Sequence, residues 1–350
     1  MSGGTRTVAL VPGDGVGEEV LDGPLAIARQ LEARGVLRLT GPWPAGATSF
    51  GATGEVLPAG TVAACEAADA VLLGAIGEHP GVSAPGFRPE LALIGLREHF
   101  DLRVSVRQVW QPKRAPLTFV RNLLGGAYGA ASVRVESDGS GPASDTFTLT
   151  VPQVRELVGI AAAYAQREGG PLISVDKANL LATSRLWRAV VSEAAAELGV
   201  EVRHVLVDRF AFELGGGDLP EGVVLTEGLF GDILSDLACG RAGSIALCGS
   251  ASVNPGPASA GACVGLFEPV HGSAPRRAGQ GVVNPAGGFL ALAALLEWFP
   301  DTAAWAEPVR DALGAALASG PPTYDLAGDE PSATTAEFSS RVVAAFTDAL

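Results

Sequence analysis

Short apolar runs of strand character recur along this sequence at 5–11, 70–73, 117–120, 172–175, 202–207 and 222–225, with helical periodicity between most of them. Such alternation predicts an α/β fold, because strands joined by helical crossovers pair side by side and are covered by their own helices. The first run closes on Pro12-Gly13-Asp14-Gly15, and Val16, Val20 and Leu21 then follow at helical spacing with Glu18 and Glu19 in the first turn. That is a strand, a tight turn and a helix. At 350 residues the chain exceeds what one hydrophobic core usually serves, so two lobes are expected.

Two stretches break the alternation. Residues 127–151 are rich in Ser, Thr, Gly and Val with an alternating piece at 146–150, which reads as a hairpin or protruding arm. Residues 255–265 form a Gly/Ala/Pro/Ser loop joining two apolar segments. The longest apolar stretch, 289–296, stops at Glu297, too short for a bilayer and suited to a buried helix. A net charge of -14 and a pI near 4.7 oppose nucleic-acid and anionic-membrane binding and favour a small-molecule substrate. Cys65, Cys239, Cys248 and Cys263 show no CxxC spacing and read as small core residues. The first residues lack the charged and apolar regions of a signal peptide, so a cytoplasmic protein is expected.

The sharpest chemical signal is GLFGDILSDLAC at 228–239, where Asp232 and Asp236 stack on one helix face while Ile233, Leu234 and Leu237 are expected to turn toward a core. Adjacent carboxylates repel unless a partner offsets them, and a divalent cation with oxygen preference does so. For a bare DxxxD the alternative is a solvated helix face. Lys177, in PLISVDKANLL, follows a strand-like run, where an α/β fold presents residues to its ligand crevice, although a surface lysine fits the same pattern. Arg97, Arg103, Arg107 and Arg121 could together grip carboxylates; singly, each reads as a surface charge. His271 lies in FEPVHGSAPRRAGQG, whose Pro and Gly residues preclude a long helix. Gly13, Gly15 and Gly17 suggest a dinucleotide fingerprint, but GxGxxG needs glycine where Glu18 stands, so a Rossmann reading of this turn is rejected.

Taken in order, VPGDGVGEEV, RPELALIGLREHFDLRVSVR, VDKANLL, TEGLFGDILSDLA and FEPVHGSAP with AGQGVVNP resemble the isocitrate/isopropylmalate dehydrogenase family of β-decarboxylating dehydrogenases, collinearly over nearly the whole chain. The resemblance implies a two-lobed, non-Rossmann α/β fold. A large cofactor-binding domain would comprise 1–102 and 243–350, and a small domain 103–242 would carry the dimer interface and an interlocking β arm at about 130–150. It further implies a homodimer with shared active sites acting on a small hydroxy-diacid. Arg97, Arg107 and Arg121 would hold the malate carboxylates. Asp232 and Asp236, with Asp208 of the other subunit, would hold Mg or Mn. Lys177, from across the interface, would take the hydroxyl proton or relay it, and Tyr128 would protonate C3 after CO2 leaves. Glu90, Leu93, Ile94 and Leu180 would line the pocket for the C3 substituent. Gly74 would approach the nicotinamide, while His271, Gly272, Ser273, Ala274 and Asn284 would surround the adenosine.

Departures from the family pattern carry information. NAD-using relatives place an aspartate next to Pro275, whereas Arg276 and Arg277 stand here, and arginine pairs with a 2′-phosphate that an acidic group repels. NADP is therefore favoured over NAD. Glu90 with Leu93, Ile94 and Leu180 suits an alkyl group and disfavours a third carboxylate, so a 3-alkylmalate is expected rather than isocitrate. Asn122 replaces a usual Glu, Gly228 a usual Asn, and GAAS follows Tyr128 in place of an FG-rich turn. These changes leave open a specialised paralogue acting on another 3-substituted malate, or a catalytically silent regulatory subunit. A metal-dependent hydrolase would leave the arginines and HGSAP without a role.

Overall fold

A computed structural model describes residues 4–79, 81–82, 87–111, 114–133, 144–255 and 265–350, with the side chains of 128–133 outside that description. From the N-terminus, β1 (Arg6–Gly13) and α1 (Gly17–Ala33) lead to β2 (Leu37–Thr40), α2 (Gly46–Thr53), α3 (Ala59–Glu66), β3 (Ala70–Ala75) and α4 (Leu91–His99). The middle of the chain opens with β4 (Val104–Val109), β5 (Leu117–Asn122), β6 (Gly126–Val133) and β7 (Ser144–Thr148). It continues through α5 (Val151–Glu168), β8 (Leu172–Asp176), α6 (Ala182–Glu197), β9 (Val202–Leu206), α7 (Val207–Gly215), β10 (Gly222–Thr226) and α8 (Gly228–Ala242). The last third holds β11 (Cys248–Val253), β12 (Gly265–Pro269), α9 (Ala286–Trp298), α10 (Ala306–Ala318), α11 (Tyr324–Ala327) and α12 (Thr335–Asp348).

Two compact units result, one of residues 1–102 with 243–350 and the other of 103–242. In the first, strands run in the order β2-β1-β3-β12-β11. Pairing is parallel except between β11 and β12. β3, β11 and β12 are buried on both faces, which is why they read as continuous apolar or small-residue runs rather than alternating ones. Helix α9 is buried along most of its length, as its all-round apolar sequence requires; α1 and α10 pack against it and α12 packs on α1 and α10, with Phe289, Phe338 and Phe346 buried.

The second unit orders its strands β4-β5-β10-β8-β9, with only β4 antiparallel to its neighbour. Helices α5 and α6 pack together, α8 lies against β4 and β5, and Trp187, Phe119 and Phe210 fill the interior. Strands β6 and β7 form a separate antiparallel pair whose tip, 134–143, lies outside the described residues. Among the described residues Cys65, Cys239 and Cys248 are buried and outside any disulfide, as expected of core residues, and Cys263 lies outside the described residues. Among the described residues no helix is long and apolar enough to cross a membrane.

One sequence expectation fails here. Leu234 is buried, but Ile233 is 60% exposed and Leu237 37% exposed, and with Leu229 at 42% they form an apolar row on the open side of α8. The aspartates occupy a flank of the helix rather than the face opposite its core, so apolar residues remain uncovered within one chain.

Candidate active site

Parallel strands deliver their C-terminal ends to one side of a sheet, and loops leaving those ends are where α/β folds collect functional groups. In the second unit the register aligns Arg121 of β5 with Thr226 of β10, and Asp176 of β8 with Leu206 of β9. Arg121, the start of α8, Lys177 and Asp208 therefore leave the sheet along the same edge.

Arg121 is 4% exposed; its Nη2 donates to Asp232 Oδ1 at 2.8 Å and its Nη1 to the Gly228 carbonyl at 3.2 Å. Arg107 reaches the same carboxylate at 3.1 Å, Asp236 Oδ1 at 3.0 Å and Ser235 Oγ at 2.7 Å. Gly231 permits this approach, since a Cβ there would stand 2.8 Å from Arg121 Cδ. Two guanidinium groups thus meet two carboxylates. Burial holds Asp236 above the ordinary carboxylate range, opposed by Arg107 and reinforced by the Asp232 charge. Arg103 pairs instead with Glu156 at 3.0 Å.

Lys177 and Asp208 form an ion pair. The Lys177 ammonium, with the backbone N–H of Asp208 itself, holds that carboxyl below its ordinary range. Among the described residues no three metal-ligating side chains come together, so Asp208 does not join Asp232 and Asp236 within one chain. Leu180 is 69% exposed on the loop after β8. Tyr128 lies on β6, and its side chain is outside the described residues.

Glu227 was not singled out by the sequence. Its carboxylate accepts the N–H groups of Phe230 at 2.7 Å and Leu229 at 3.0 Å, capping α8. Burial raises its pKa above the ordinary 4.5, against those N–H groups and the Arg121 charge. An acid with a raised folded pKa adds stability that is complete below its ordinary value and is lost as pH rises through the raised one. The Tm advantage of wild type over Glu227→Gln should accordingly shrink between acidic and neutral pH in thermal scans; a growing advantage would refute this.

The first unit holds the other expected residues. Glu90 precedes α4, and Leu93, Ile94 and Arg97 follow at positions that share its flank. Leu93 leans on the core, Ile94 is 37% exposed, and Arg97 Nη2 pairs with Glu268 Oε1 at 2.9 Å. Gly74 is required by packing, because a Cβ would lie 2.4 Å from the Pro12 carbonyl oxygen. The ends of β1 and β3 meet the HGSAP loop, where Val16 N–H donates to Ser273 O at 2.9 Å and Ser273 Oγ to Glu78 O at 2.9 Å. Gly272 is exposed, and Ala274 sits at φ +39°, a strained backbone for a residue with a Cβ.

His271 Nδ1 donates to the Gly272 carbonyl at 3.0 Å, leaving Nε2 a buried acceptor with no partner among the described residues. Burial pushes its pKa below the ordinary 6.5, opposed by that carbonyl and by Asp325, so the ring is neutral at pH 7. Asn284 donates to Asp325 Oδ2 at 3.0 Å. Arg277 stacks 4.4 Å over the Tyr324 ring, while Arg276 is exposed. Tyr324 and Asp325 escaped the sequence reading, since nothing local in PPTYDLA ties them to a segment some 40 residues earlier.

Two arginines thus hold paired aspartates, with a lysine at a neighbouring strand end, and the relatives of this chain are β-decarboxylating dehydrogenases. The isocitrate/isopropylmalate dehydrogenase family model matches residues 7–342. The chain is 41% identical to a 3-isopropylmalate dehydrogenase of Synechococcus sp. (strain CC9605), covering 91% of this chain and 93% of that protein. It is 38% identical to a 3-isopropylmalate dehydrogenase of Salinibacter ruber (strain DSM 13855 / M31), covering 98% and 96%. A solved β-decarboxylating dehydrogenase from Thermococcus kodakarensis, in its apo form, matches with a TM-score of 0.83 at 31% identity over 98% of this chain and 97% of that one. The chain belongs to the isocitrate/isopropylmalate dehydrogenase family, whose members work with a nicotinamide dinucleotide and a divalent metal.

Proposed function

We propose that this chain oxidatively decarboxylates a 3-alkylmalate of the 3-isopropylmalate type to a 2-oxo acid. The reading is carried by one observation, the cluster in which Arg107 and Arg121 hold Asp232 and Asp236. Each positive charge already has a carboxylate, so a hydroxy-diacid arriving with a divalent cation can exchange partners without leaving any charge bare.

Hard carboxylate oxygens four residues apart on α8 fit Mg or Mn, and the buried, unpartnered Nε2 of His271 fits a donor such as an adenine amino group. When bound, the metal would supply charge stabilisation for the developing alkoxide and enolate, and the nicotinamide would supply the hydride acceptor. Arg97, Arg107 and Arg121 bind the substrate carboxylates and orient C2. Lys177 Nζ, beside Asp208, takes or relays the C2 hydroxyl proton, and Tyr128 returns a proton to C3. Glu90, Leu93, Ile94 and Leu180 receive the alkyl group.

The working unit is a cytoplasmic homodimer with shared sites. The uncovered row of Leu229, Ile233 and Leu237 supports this, as does the separation of Asp208 from the other two aspartates. NADP is the favoured cofactor: Arg276 is exposed, Arg277 is held over Tyr324, and the oxygens of the nearby Asp325 already accept from Ser244, Thr323 and Asn284.

Purified protein with Mg or Mn, each dinucleotide, and either 3-isopropylmalate or isocitrate should show reduced-nicotinamide absorbance, faster with isopropylmalate and with a higher kcat/KM for NADP. Faster turnover of isocitrate overturns the alkyl specificity, and a preference for NAD overturns the cofactor assignment. Absence of turnover would return the silent-subunit reading. In the double variant Arg276→Asp with Arg277→Ile, the NADP-to-NAD ratio of kcat/KM should fall by at least about tenfold, the loss of one charge-assisted contact.

A further inference from the structure

The turn that carries Lys177 is gripped at every flank by the first two turns of α6. Asp176, the last residue of β8, is 1% exposed and accepts both arms of the Arg188 fork, from Nε and Nη2, each at 2.8 Å. Its Oδ1 also accepts the Ala178 N–H at 2.8 Å. Ser184 Oγ accepts the N–H of Lys177 itself at 3.1 Å. Arg185 Nη1 donates to the carbonyls of Leu180 at 3.2 Å and Ala178 at 3.4 Å.

A buried carboxylate is costly unless paired, and a bidentate guanidinium fixes orientation as well as charge. We infer that Arg188 is a positioning residue for Lys177: through Asp176 it locks the 176–178 backbone so that the lysine ammonium is delivered to one place. The inference deepens the proposed function and rests on the role given there to Lys177. The short stem between Asp176 and Ala178 is what transmits the constraint. Lysine at position 188 could supply charge but not the planar two-point fork, leaving the orientation of the carboxylate to the Ala178 N–H alone.

Arg188→Ala should lower kcat by about 10- to 100-fold, the scale of a small misplacement of a reacting group, while KM for the dinucleotide stays unchanged. Millimolar guanidinium should raise the kcat of this variant and not that of wild type, since the Arg188 side chain is 38% exposed and the vacated position is open to solvent. Arg188→Lys should fall between the two. Hydrogen exchange at the Lys177 and Ala178 amides should speed up in Arg188→Ala while the strands keep their protection. An unchanged kcat, a loss that guanidinium does not relieve, or unaltered exchange at both amides overturns the inference. Failure of wild type to turn over any 3-substituted malate would instead sink the proposed function, and exchange would then decide whether Arg188 still holds the turn.

Discussion

Replacing Lys177 with methionine is expected to cut kcat by about 10²- to 10⁴-fold, the range general acid–base groups contribute, with Tm unmoved. Methionine keeps the length and apolar stem of the side chain but removes the amine beside Asp208 that is proposed to take or relay the hydroxyl proton. Asp208 is exposed, so breaking the pair leaves no buried charge behind. Steady-state kinetics with isopropylmalate and differential scanning measure both quantities, and a near-normal kcat would remove Lys177 from the chemistry. The same variant tests shared sites. Co-expressed with Asp232→Asn, it should regain activity, because a heterodimer gathers both lesions into one site and leaves the other intact. A random mixture would restore about a quarter of wild-type sites, counting half the dimers as mixed and one good site in each. If each chain builds its own complete site, the mixture stays inactive.

Asp14→Ala should destabilise the fold by about 3–5 kcal/mol, one of the largest stability effects available in this chain. The Asp14 carboxylate is 1% exposed and accepts backbone N–H groups from Thr48 at 2.7 Å, Ala47 at 2.9 Å and Gly77 at 3.1 Å. It therefore caps α2 and ties the end of β1 to the end of β3. Alanine would strand three buried donors, each costing about 1–3 kcal/mol, with some recovered by water entering the space. Thermal unfolding should show Tm lower by about 10 °C. Asp14→Asn, which retains one acceptor oxygen, should lose less. If alanine shifts Tm by no more than asparagine does, the three contacts are not what holds these loops together.

Half of the twelve described strands were legible in the sequence: β1, β3, β5, β8 and β10, because largely buried strands are written as contiguous apolar runs, and β9, a partly exposed edge strand whose valines and leucine flank Arg203 and His204. β4, VSVRQV, and β11, CGSASV, were not, since polar and small residues interrupt the run and their burial comes from neighbours distant in sequence. Helix α8 was legible by period, but the direction of its apolar residues was not: Leu234 points inward while Ile233 and Leu237 stay uncovered. Asp232 and Asp236 stood out through their spacing, whereas Glu227, Arg188 and Tyr324 carry no local signature. Each acts through a partner brought near by strand register or loop packing.

Periodicity and turn residues, properties of neighbours along the chain, were enough to determine the α/β class, the helix that holds the paired aspartates and the absence of a dinucleotide fingerprint at Glu18. The tertiary structure alone decided that Arg121 meets Asp232 across 111 positions and Arg107 meets Asp236 across 129. Such pairings depend on angstrom-scale placement of packed strands and helices, which no local preference encodes.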